Sequence, residues 1–136
     1  MNTRPPSLLS RRAFTLVEMS LVLMVLMFLI STGLFVSRKT DEWKLGRAAG
    51  ESLRMVYSAQ RMYLADNPTA SVSSLTATLL IPYLPNQATS IPTVKSLTGA
   101  TLNIIVNVSP PVINSGDGTT YDPSGSNQDS LWDIGS

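Results

Sequence analysis

Hydrophobic and polar positions fall into two regimes that follow one another without a break. Residues 14–36, from Phe14 to Val36, are apolar on nearly every face, and Glu18 is their only charge. At about 1.5 Å rise per residue a helix of that length reaches roughly 34 Å, enough to cross a hydrocarbon core. From Arg38 to Asp66 the chain turns charged and helix-favouring, with apolar positions at Leu45, Ala49, Leu53, Val56, Tyr57, Tyr63 and Leu64. Steps of three and four residues make one apolar stripe, as on a helix that buries a single face. No proline intervenes before Pro68, so the pattern predicts one continuous helix over residues 14–66, roughly 80 Å long. Arg47, Glu51, Arg54 and Arg61 fall on other faces, with Arg47–Glu51 and Glu51–Arg54 spaced to pair. Gly46 and Gly50 each weaken the helix by about 1 kcal/mol relative to alanine, and suit a bend or close packing against a neighbour. The Tyr57 and Tyr63 rings are expected to cover a sheet, and Trp43 suits an interfacial aromatic belt.

Beyond the helix the periodicity shortens. Residues 69–78 are rich in Ser, Thr and Ala. They predict a loop into a short helix over 72–80, with Ser71 as N-cap and Pro82 and Pro85 as stops. Ile81, Tyr83 and Leu84 are then free to pack back on the long helix. Residues 90–94 suit a short edge strand, since Pro92 bars a central position. The best strand is 101–108, TLNIIVNV, with Leu102, Ile104, Val106 and Val108 on one face. Residues 112–114 begin a return, 115–118 form a turn cluster, and 119–121 with 131–134 suggest a closing hairpin. The fold class expected is α+β: a long N-terminal helix packed on a small antiparallel sheet.

Composition narrows the chemistry. Of the 136 residues, 100 follow Val36, one small domain's worth. Without cysteine there is no disulfide framework, and without histidine the commonest catalytic base and metal ligand is missing. Neither an enzyme nor a cofactor is expected. Residues 1–13 hold three of the ten basic residues and no acid, leaving seven against nine in the remainder. No basic cluster survives outside that segment and the membrane flank, so nucleic acid is not an evident partner.

Arg11-Arg12-Ala13-Phe14-Thr15-Leu16-Val17-Glu18 resembles the class III signal of type IV prepilins and type II secretion pseudopilins. In that family a short basic leader and a small residue precede Phe-Thr-Leu-[Val/Ile]-Glu at the start of a long apolar helix. The resemblance implies a leader over 1–13, a transmembrane and filament-core helix over 14–36, and a pilin-like α+β domain within 37–136. It implies cleavage between Ala13 and Phe14 by a prepilin peptidase, and methylation of the new Phe14 amine. Glu18 then serves assembly by pairing with a neighbouring subunit's N-terminal amine. The implied partners are copies of the chain, other pilin-like subunits, an inner-membrane assembly platform and membrane lipid. The implied place is the bacterial cytoplasmic membrane, crossed once, with the domain outside the cytoplasm. Ala13 stands where the family usually has glycine, and the proline that many members carry in the apolar helix is absent.

The tail, with Tyr121-Asp122-Pro123-Ser124-Gly125 and later Trp132-Asp133-Ile134, is similar to the C-terminal end of several pilin-like proteins. In some major pseudopilins that region binds calcium, and Asp117, Asp122, Asp129 and Asp133 are the oxygen donors available for it. Turn chemistry accounts for the same residues without metal. Two other readings of the N-terminus stay open. Ser10-Arg11-Arg12-Ala13-Phe14 also resembles a twin-arginine export signal, and a plain signal anchor would yield a membrane-tethered binding module that never polymerises. Arg4, Arg11 and Arg12 precede the apolar stretch while Arg38, Lys39, Lys44 and Arg47 follow it, so charge alone leaves orientation open.

Overall fold

The protein is described by a computed structural model that places residues 8–135, with side chains from Thr15 onward. Residues 1–7 of the expected leader lie outside the described residues. A single helix, α1, spans Leu8–Asp66. Its end coincides with the Asn67-Pro68 breaker, but it begins at Leu8 rather than at Phe14. Pro5-Pro6 and the basic, polar composition of 1–12 suggest an unordered stretch, but Leu8–Arg12 are helical. Between Leu8 and Ala13 there is neither glycine nor proline, so nothing there interrupts the helix.

The chain divides into two compact units, Met1–Thr40 and Asp41–Ser136. Within the second, the long helix packs on two small antiparallel sheets, an α+β arrangement. Ala49, Leu53 and Val56 of the expected stripe are buried, joined by Ala59 and by the fully buried Gln60. Leu75, Leu80, Leu84, Val94, Ile104, Ile113 and Trp132 complete this core. Tyr63 reaches it edge-on against Tyr83, ring centroids 5.7 Å apart. Tyr57 does not cover a sheet; it lies outside the core with the Arg61 guanidinium 5.9 Å above its ring. Arg47 pairs with Glu51 at 3.4 Å as expected, while Arg54 turns away from Glu51 to the Ile134 carbonyl, 3.5 Å away.

The helix expected over 72–80 is broken. A 3-10 turn at Val72–Ser74 is followed by extended Leu75 and Thr76, then by α2 at Ala77–Leu80. Further 3-10 turns follow at Ile81–Tyr83 and Pro85–Gln87. Local hydroxyls explain the break, since they offer the backbone partners outside a helix. Ser74 Oγ donates to the Ser71 carbonyl at 2.7 Å, and Ser71 Oγ meets Ser73 Oγ rather than capping a backbone N–H. Ile81, Tyr83 and Leu84 do pack back as expected, and the Tyr83 hydroxyl donates to Asp66 Oδ2 at 3.0 Å. That bond, made to a carboxylate, holds the phenol above its usual pKa.

The best strand in the sequence is also divided. Strand β1 (Val94–Lys95) pairs with β2 (Thr101–Leu102), and β3 (Ile104–Ile105) with β4 (Val112–Ile113). Asn103 sits between the two partnerships, its carbonyl accepting from Asn114 N at 2.9 Å. Leu102, Ile104 and Val106 keep the inward face, but the strand stops at Ile105. There Gln60 takes over from a sheet partner: its Nε2 donates to the Val106 and Val108 carbonyls at 2.6 and 2.9 Å. A buried amide thus satisfies two carbonyls that would otherwise need a strand. The edge strand expected over 90–94 moves forward, and its hairpin turn is built on Ser96, whose N–H donates to the Ala100 carbonyl at 2.8 Å.

The closing hairpin between 119–121 and 131–134 does not form. Thr120 bridges instead to Asn114, and residues 131–134 are not extended into a strand. Ser130 and Trp132 take left-handed φ of 59° and 65°, sparsely allowed for such residues. What holds them is α1. Trp132 N donates to the Gly46 carbonyl at 3.1 Å, and its indole is buried edge-on to Tyr121. Gly46 and Gly50 make this approach possible. A Cβ at Gly46 would sit 2.8 Å from Trp132 Nε1, and one at Gly50 would collide with the Ser130 carbonyl oxygen. The glycine pair serves close packing, and the neighbour is the chain's own tail.

Candidate membrane and assembly segment

The N-terminal part of α1 is built from side chains that the chain does not cover. Every residue from Thr15 to Val36 is exposed, and the large apolar ones show between 48 and 71% of their surface. Among the described residues one helix, α1, is thus long and apolar enough to cross a membrane. Several of its hydroxyls are bonded to their own helix. Ser20, Ser31, Thr32 and Thr40 each donate to the carbonyl one turn back, at 2.8–3.0 Å. Hydroxyls closed onto their own helix need no water. Gly33 leaves open space where a side chain would stand.

Glu18 is the exception. It is exposed, it is the only ionisable group between Thr15 and Val36, and none of the described side chains pairs with it. A carboxylate on an apolar helix costs free energy in lipid, about 2.5–3.5 kcal/mol for an acid at mid-bilayer and less near the interface. Ala13 and Phe14 lie within α1, and their side chains are outside the described residues. Glu18 follows Phe14 by four positions, one helical turn or about 6 Å along the axis. At the far end of the segment Trp43 is half exposed, with the Arg47 guanidinium 5.3 Å over its ring.

The tail aspartates divide into two groups instead of one ligand set. Asp117 accepts from the Ser115 hydroxyl and from Thr119 N and Oγ1, at 2.9 and 2.6 Å for the latter two. Those donated bonds hold its carboxyl well below the usual range. Asp122 and Asp129 converge on the Ser124 hydroxyl, at 2.8 and 3.3 Å. Asp133 accepts from Gly135 N at 2.9 Å through Oδ1, while Oδ2 is shut from water without a partner. Burial, then repulsion from Asp122 and Asp129, raise the Asp133 pKa. Among the described residues no three acids are placed to hold a metal ion.

Two features escaped the sequence reading: the Gln60 clamp and the Trp132 anchor. Gln60 lies four residues after Val56 and seven after Leu53, on the apolar stripe itself, and a polar residue there was the available signal. No family model matches this chain, and no curated protein or solved structure matches it either.

Proposed function

We propose that this chain is a structural, non-enzymatic subunit of a type II secretion pseudopilus or related type IV pilus-like filament. A prepilin peptidase would cut between Ala13 and Phe14 and leave Phe14 N-methylated. The mature subunit would sit in the bacterial cytoplasmic membrane with its α+β domain outside the cytoplasm, until the assembly platform draws it into a filament. The observation that carries this reading is Glu18, the one charge on an apolar helix that the chain leaves uncovered.

Like helices replacing lipid around residues 15–36 gain little from the hydrophobic effect, because lipid tails are equally apolar. Packing and polar pairing must therefore select the arrangement. A Glu18 carboxylate paired with a neighbour's Phe14 amine offsets its own burial, and left unpaired it penalises every other register. The amine exists only after cleavage, so processing would license assembly. The test is Glu18→Gln, which keeps size and removes charge. Filament yield should drop at least about tenfold while cleavage proceeds normally, the equivalent of losing about 1.4 kcal/mol per contact. Undiminished filaments from a cleaved Glu18→Gln chain would reject the pairing. A cleaved wild-type chain that stays monomeric would favour a membrane-anchored binding module.

A further inference from the structure

The loops that follow α1 in the second unit are acidic, while α1 itself carries acids and bases in equal number there. Arg47, Arg54 and Arg61 stand seven residues apart on α1, all exposed, and residues at that spacing share a helix face. After Asp66 the chain carries one basic residue, Lys95, and four aspartates. The three arginines differ in what they already hold. Arg47 pairs with Glu51 and Arg54 reaches the Ile134 carbonyl. Arg61, among the described residues, meets no carboxylate and is propped over the Tyr57 ring beside exposed Met62 and Ala65.

The acidic counterpart is a cleft of about 280 Å³ in the C-terminal loops. Pro111, Val112 and Trp132 give it apolar walls, and Asp122, Asn127 and Asp133 give it polar ones. Asp133 Oδ2 is shut from water, so Asp122 is the carboxylate open to a ligand; Asp122 and Asp129 add negative potential around Asp133, which the chain's own Arg54 offsets in part. A guanidinium suits that combination better than an ammonium. It is planar, weakly hydrated, stacks on aromatic and apolar faces, and offers several N–H donors to carboxylates.

We propose that Arg61 of one copy enters the Asp122–Asp133 cleft of a second copy, joining the outer helix face to the C-terminal loops head to tail. The two patches differ, so the contact is heterologous and propagates as a ring or an open filament. This rests on the filament reading and adds to it a contact outside the apolar helix. Because the chain has no cysteine, the contact can be trapped directly. Full-length Ala65→Cys/Asn127→Cys, oxidised in its own membrane, should give a ladder of trimers and larger species, whereas either single cysteine should stop at dimers. Adding Arg61→Glu, a change at an exposed helix position, should cut the ladder at least about tenfold, as loss of a desolvated ion pair does. Asp122→Asn, which keeps the acceptor for the Ser124 N–H, should weaken it in the same direction. A ladder indifferent to Arg61→Glu but lost with Glu18→Gln would overturn this contact and leave the filament reading standing. Chains that associate under neither comparison would sink both.

Discussion

Residues 15–36 and residues 45–63 belong to one helix and meet opposite surroundings. In the second stretch the apolar positions recur with the helical period, and Leu53 and Val56 are fully buried against the chain's own core. In the first, apolar side chains surround the helix and all stay exposed. The difference is one of pattern more than of hydrophobicity. A stripe can be satisfied by one small domain, whereas a helix apolar all round requires lipid or like helices on every side.

Paired substitutions in the detergent-solubilised full-length chain test that contrast. The largest effect is expected in the buried stripe. Leu53→Ala should lose about 2–5 kcal/mol of unfolding free energy, because the site is fully enclosed. Leu26→Ala, on the uncovered half, should stay within about 0.5 kcal/mol of wild type. Equal losses at the two positions would mean that the N-terminal half is covered by its own chain after all.

Glycines give the next contrast. Alanine is favoured over glycine in a helix by about 1 kcal/mol, yet Gly50→Ala should destabilise by about 1–3 kcal/mol, because its methyl would strike the Ser130 carbonyl. Gly33→Ala meets nothing and should be neutral or stabilising in the same assay. A stabilising Gly50→Ala would show that the tail does not rest on α1.

The smallest effect concerns acid. The folded Asp133 pKa lies above its unfolded value, so the native state holds the proton more tightly. The stability this contributes is fully present below the unfolded pKa and is lost as pH rises through the folded one. Melting temperature should therefore gain slightly on acidification just above the ordinary carboxylate range, and Asp133→Asn should flatten that gain. Asp117 is shifted the other way, and its contribution is lost only at lower pH, as the solution is taken down through its depressed pKa. An unchanged slope in Asp133→Asn would place that carboxylate in open water.

Much of this was legible in the pattern, and what was not has a physical reason. The end of α1 at Asp66, the stripe through Ala49, Leu53 and Val56, and the inward alternation of Leu102 and Ile104 follow from periodicity and breakers. The expected strand over 101–108 was cut short because one side chain, Gln60, supplies the hydrogen bonds of a missing partner. Residues 131–134 read as a strand by composition, but Trp132 lies in the left-handed region, held by a bond to Gly46 a long way back in the chain. Local propensity carries no record of such distant partners. The apolar half of the helix was legible for the opposite reason: residues 15–36 are all exposed, so no distant partner overrides their pattern.

The most direct measurement is the N-terminal mass of the protein purified from its own membrane. Prepilin processing predicts a chain beginning at Phe14 with one added methyl group. An intact Met1, or a chain beginning beyond Val36, would contradict it, leaving a plain anchor in the first case and a released domain in the second.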